Sequence, residues 1–264
     1  AEDGEYLRSS ESAEQSFVTH GPVRLAFVNG PDMQVAGKVR DFPGSLKSFR
    51  VKLQDSSGNP MAAASPVPVK LWTVSRLSSA LNDSFSFSAS SGIAAGFPPL
   101  FENPTDQIMI PMLQSEATFY YLDTMASAFY PSGPARPIIG ISDAAGVLAS
   151  SAQAVNIVPD FIARVAVLPP AAPSLLAGTT SGVFVFQLQD NFGNPSEVKP
   201  GQEDPGKTYV EFKLYSNSSG STQFSSPGPS SFTATTGTAR VEIGLATAPF
   251  YMIDSLIPPT TWSV

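Results

Sequence analysis

The 264-residue chain is 42% hydrophobic, ample for a buried core, yet only 14% charged, with a net charge of −7 and an isoelectric point near 4.7. No lysine or arginine cluster exists to neutralise phosphates, which excludes nucleic acid as a partner, and the absence of cysteine excludes disulfides, thiolate metal sites and thiol catalysis. No apolar run approaches the roughly 18–20 residues of a transmembrane helix; the opening AEDGEYLRSS is polar, so a secreted form is expected to have already lost its leader.

Residues 1–20 are charged and serine-rich, the composition of a tail or of an extension that pairs with another subunit, and they end on the only histidine, His20. Phe49-Arg50-Val51-Lys52-Leu53 alternates apolar and charged residues, the period of a strand with one wet face. Asp55-Ser56-Ser57-Gly58-Asn59-Pro60 follows, with Gly and Asn suited to positive φ and Pro ending the ladder. Val69-Lys70-Leu71-Trp72 is a second alternating strand, and Ala117 to Thr124 a third. Met125 to Arg136 then read as a protruding loop carrying Phe129 and Tyr130, a candidate interaction surface. Pro137 to Gly146 and Ala154 to Val158 supply further short strands.

The pattern then starts again. Phe184-Val185-Phe186-Gln187-Leu188-Gln189 leads into Asp190-Asn191-Phe192-Gly193-Asn194-Pro195, and Phe212-Lys213-Leu214-Tyr215 matches Val69 to Trp72 after a longer loop. Ala248 to Ser255 matches Ala117 to Thr124, and Arg240 to Ile243 alternates likewise. Order is kept while loop lengths drift, as in two copies of one domain. Many short strands punctuated by Gly, Pro and Asn predict an all-β chain of sandwiches. The boundaries are an extension over 1–20, one domain over 21–159 and another over 160–264. Residues 124–159 follow Asp123, whereas only 255–264 follow Asp254, so the second domain is expected to lack its last strand. Either a longer protein or a neighbouring molecule's strand would complete it.

These segments resemble the bacterial Ig-like repeats of large surface-layer and adhesin-type cell-surface proteins, and more distantly the invasin/intimin-type domains, through D-x-x-G-N-P. The resemblance covers most of 21–159 in the first copy. It implies two tandem Ig-like β-sandwich domains outside the cell, on a bacterial surface. It also implies a spacer, scaffold or lattice role in a surface layer, filament or sheath, with copies of itself or other surface proteins as partners. The alternative it leaves open is an adhesin or glycan-binding module that uses loop aromatics.

The residues carry little catalytic chemistry. One histidine outside the repeats cannot build a Ser-His-Asp triad, and no phosphate loop or dinucleotide fingerprint occurs, so the chain is expected not to be an enzyme. Repeated aspartates at turns suit local capping. Asp55, Asn59, Asp190 and Asn194 have oxygens of the kind calcium takes, with one carboxylate per loop. Asn82-Asp83-Ser84 and Asn217-Ser218-Ser219 are formal glycosylation sequons. Trp72, Tyr215, Phe119 and Phe250 are expected to fill the core, leaving Phe97, Phe101, Phe129 and Tyr130 as a glycan platform.

Overall fold

The computed structural model describes residues 21–30, 33–41, 44–73, 85–127, 137–170, 176–216, 221–226, 232 and 236–255. The chain is all-β. One antiparallel sheet contains, in order, β1 (Arg24–Asn29), β3 (Phe49–Gln54), β7 (Glu116–Asp123) and β5 (Phe85–Ser88). Facing it lie β6 (Gln107–Ile110), β4 (Val67–Thr73), β8 (Ile138–Asp143) and β9 (Ser151–Ala154). A short parallel pair joins β2 (Met33–Val35) to β10 (Asn156–Val158).

The later residues repeat the first sheet: β11 (Arg164–Leu168), β12 (Phe184–Gln189), β16 (Thr247–Asp254) and β14 (Thr222–Ser225) stand in the same relative order. Opposite them, β13 (Tyr209–Tyr215) pairs with β15 (Thr236–Glu242). Every pairing between these strands lies within residues 24–158 or within 164–254. The expected loss of a final strand concerns residues 256–264, which lie outside the described residues.

Alternation decides what is buried. In β3, Phe49, Val51 and Leu53 point inward, while Arg50 and Lys52 face Glu116 across the sheet surface at 3.8 and 3.6 Å. Phe49 stacks on its register partner Phe119 at 5.0 Å between ring centres. Phe184 repeats this on Phe250 at 5.2 Å. One core forms between the first two sheets, from Leu25, Phe49, Phe119 and Tyr121 on one side and Val69, Leu71, Ile139 and Ile141 on the other. Burying each such side chain contributes roughly 1.5–3 kcal/mol.

Trp72 and Tyr215 do not fill the core. They are 37% and 69% exposed, because Val69 and Leu71, or Leu214, already occupy the inward positions of their strands. Side-chain parity overrides ring size. Trp72 instead lies flat on its register partner Gly140, where a Cβ would collide with the indole. Gly140→Ala is therefore expected to swing Trp72 off the sheet at a cost of about 1 kcal/mol. A red-shifted emission spectrum in a Trp262→Phe background is the readout, and an unshifted one contradicts the packing. Phe101 is also buried, with Val39 and Leu122 in a small separate cluster, which removes it from any exposed aromatic platform.

Candidate functional site: one turn, exposed in one copy and buried in the other

The D-x-x-G-N-P segments fold into two turns with the same hydrogen bonds. In the first, Asp55 Oδ1 accepts from the Ser57 and Asn59 N–H groups at 2.9 and 2.8 Å, and Asn59 Nδ2 donates to Asp55 Oδ2 at 3.0 Å. In the second, Asp190 Oδ1 accepts from the Phe192 and Asn194 N–H groups at 2.9 and 3.0 Å, and Asn194 Nδ2 donates to Asp190 Oδ2 at 2.8 Å. Gly58 and Gly193 take φ of 89° and 90°, the left-handed conformation that glycine adopts without strain. Arg24 and Arg164, at matching register positions of β1 and β11, lay their guanidinium groups against these glycines.

The surroundings differ completely. Asn59 is exposed and Asp55 half-buried, with the Asn59 amide holding the Asp55 carboxyl below its ordinary range. Asp190 is fully buried and Asn194 only 6% exposed. What covers them is the far end of the first half of the chain. Asn194 Oδ1 accepts from the Ala126 N–H at 2.8 Å, and Nδ2 donates to the Thr124 carbonyl at 2.7 Å. Asp190 Oδ2 accepts from the Asp160 N–H at 3.1 Å, so four N–H groups in all surround that buried carboxylate. Ser196 Oγ donates to the Asp160 carbonyl at 2.6 Å.

Charge and aromatic contacts close the joint around this clasp. Lys38 Nζ pairs with Asp160 Oδ1 at 2.8 Å, and Lys199 Nζ donates to the Pro159 and Asp160 carbonyls at 2.8 and 3.2 Å. Burial pushes the Lys199 ammonium below its usual range, against the pull of the Asp160 and Asp190 carboxylates. Both ammonium groups lie over the Phe161 ring, at 5.9 and 5.3 Å. The Phe192 ring stacks on Phe97 at 5.5 Å and rests on Gly37 so closely that a Cβ there would overlap it. An open cleft of about 980 Å³ runs along the joint between Val35, Arg40, Phe161 and Lys199. Its cations are committed locally: Arg40 donates to the Gly44 carbonyl at 2.9 Å.

The receiving loop is itself repeated. Gly37 has φ of 69° and donates to the Asp123 carbonyl at 2.7 Å; Gly178 has φ of 74° and donates to the Asp254 carbonyl at 2.7 Å. Lys38 N–H returns to Val35 O at 3.0 Å, and Thr179 N–H to Leu176 O at 3.0 Å. Buried Gln34 holds the first loop in place by donating to the Lys38 and Tyr121 carbonyls. Sequence reading missed this element, although Val35-Ala36-Gly37-Lys38 and Leu176-Ala177-Gly178-Thr179 carry its signal. Residues 125–127, expected to begin a protruding loop, are instead packed: Ala126 and Ser127 are buried at the joint. Phe129, Tyr130, His20 and both sequons lie outside the described residues.

Asp55 with Asn59 and Asp190 with Asn194 thus form two separate turns. In each, the carboxylate oxygens already face N–H donors, whose positive ends oppose a cation. Adding calcium or chelator is expected to move the melting temperature by less than about 1 °C. A calcium-dependent rise in scanning calorimetry would restore the ion-binding reading. Among the described residues no group of three His, Asp or Glu side chains converges.

No protein-family model matches the chain, and no curated protein matches it. Among solved structures it is similar to domains 1–6 of the surface layer protein SbsC, with a TM-score of 0.28 and 13% identity over 86% of this chain and 24% of that one. It is similar to invasin, a bacterial integrin-binding protein, with a TM-score of 0.37 and 12% identity over 90% and 36% of the two chains. A third match is the secreted serine protease VesC from Vibrio cholerae, with a TM-score of 0.23 and 10% identity over 88% and 46%. These are distant likenesses to bacterial surface and secreted proteins, and the chain spans less than half the length of each.

Proposed function

We propose that the chain is a non-enzymatic structural component of a bacterial cell surface, in a surface layer, filament or sheath. In this reading residues 21–159 and 160–264 are two Ig-like sandwich domains, and the buried turn at 190–195 couples them stiffly. The observation that carries it is the use made of one turn sequence: solvated in the first copy, it becomes a dry clasp between the halves in the second. A spacer or lattice part needs its units held at a fixed angle, and the hydrogen bonds that Asn194 makes across the joint supply that. The low charge and the commitment of the aspartates to turn N–H groups suit a structural role better than general acid–base chemistry.

Immunogold electron microscopy of native cells and of unfractionated surface material tests the proposal. Label on the outer face of intact cells, following a regular lattice or filament, is the expected result. Label that appears only after permeabilisation contradicts it. The adhesive alternative draws on Phe97, whose ring is 69% exposed beside Phe192, and on Phe129 and Tyr130. It requires glycan binding that Phe129→Ala or Tyr130→Ala abolishes while the fold persists.

A further inference from the structure

The two surfaces that meet at the joint each occur a second time, facing solvent. The 55–60 turn reproduces the 190–195 turn bond for bond, with Ser56, Ser57, Asn59 and Pro60 exposed. The 176–179 loop reproduces the Gly37 loop and is likewise exposed, beside the exposed Ser255 that follows β16. In the joint, Asn194 recognises backbone groups of Thr124 and Ala126. Recognition of that kind does not depend on side-chain identity, so the Ser255 carbonyl, in the place of the Thr124 carbonyl, can offer the corresponding bond.

We infer that the 55–60 turn of one molecule docks head to tail on the 176–179 loop and the adjoining end of β16 of a second copy of this chain. This rests on reading the internal joint as a true coupling. A second feature of the same pole supports it. Leu113 sits at φ 67°, the one non-glycine residue with positive φ among the described residues, and its side chain is 73% exposed. Its N–H donates to the Ala63 carbonyl, as the Gly244 N–H, at φ 83°, donates to the Val198 carbonyl in the other half. Where the second half uses glycine, the first tolerates backbone strain to hold a large apolar side chain in solvent beside the turn. Met112 and Val147 are also exposed, on the hairpin and turn at this end. A contact of this type is heterologous, so it builds rings or open chains rather than closed two-fold dimers.

The free surfaces lack several parts of the internal joint: Met61 and Ala64 stand where Ser196 and Lys199 would be. Ser57 stands where Phe192 would be, and Thr179 where Lys38 would be. The association is therefore weak and concentration-dependent, whereas the internal joint is held by its covalent tether. Among the described residues nothing lies within 4 Å of the Cβ position of Gly178, the seat that Phe192 occupies over Gly37.

Sedimentation velocity of the full chain between about 10 μM and 1 mM tests the inference. The sedimentation coefficient is expected to rise with concentration. Asn59→Ala removes the rise while the circular dichroism spectrum stays unchanged. Ser57→Phe, by seating a ring on Gly178, lowers the midpoint concentration about three- to tenfold. Concentration-independent sedimentation of both wild type and Ser57→Phe overturns the inference, as does association that neither substitution alters. Loss of internal coupling is read separately, from distances within one molecule.

Discussion

Asn194→Ala is expected to lower stability by about 2–5 kcal/mol, while Asn59→Ala costs less than about 1 kcal/mol. The two residues occupy the same place in the same turn and make the same bond to an aspartate. They differ in what else depends on them. Removing the Asn194 side chain takes its acceptor from the buried Ala126 N–H and one donor from the part-buried Thr124 carbonyl. It also takes one of four N–H donors from the buried Asp190 carboxylate. Each buried group left unpaired costs about 1–3 kcal/mol. Asn59 is exposed, so water replaces its lost bond. Urea unfolding of the two variants side by side measures the difference, and equal losses would contradict the assignment of the second turn as the clasp.

Phe119→Ala is expected to cost about 3–5 kcal/mol. Its ring is fully buried, stacked on Phe49 and in edge contact with Phe87 at 6.0 Å, at the centre of the sheet that faces β4 and β8. Truncation removes the buried area and leaves a cavity that three neighbouring aromatic rings cannot collapse to fill. Trp72→Ala removes a larger side chain for less than about 1.5 kcal/mol, because that ring lies on the outside of β4. The unfolding midpoints of the pair test whether position in the strand, rather than ring size, sets the energy.

Much of this architecture was legible in the residues. Phe49, Val51 and Leu53 carry their burial in their spacing, and the D-x-x-G-N-P turns announce their own hydrogen bonds. For Trp72 and Tyr215 ring size points to the core, whereas parity with Lys70 and Lys213 places them on the wet face. The site was harder to see. Asp55 and Asp190 stand in the same motif, and its shared Asp, Gly, Asn and Pro do not separate an exposed turn from a buried one. The difference comes from backbone groups at 124–126 and 160, which have no side-chain signature. Phe192 in place of Ser57 is the sole hint inside the turn. The receiving loops repeat only Ala and Gly at matched positions, too little to stand out before the hydrogen bonds of Gly37 and Gly178 align them.

The central claim is that the buried turn fixes the two halves relative to one another. Because the chain has no cysteine, a Lys70→Cys, Thr238→Cys variant carries spin labels at two exposed strand positions only, one in each half. Double electron–electron resonance at low concentration then reads the distance between them within single molecules. A narrow, single-peaked distribution that broadens on Asn194→Ala is the result this account predicts. A broad distribution in the parent, unchanged by Asn194→Ala, would mean that the halves move independently and that the clasp does not hold them.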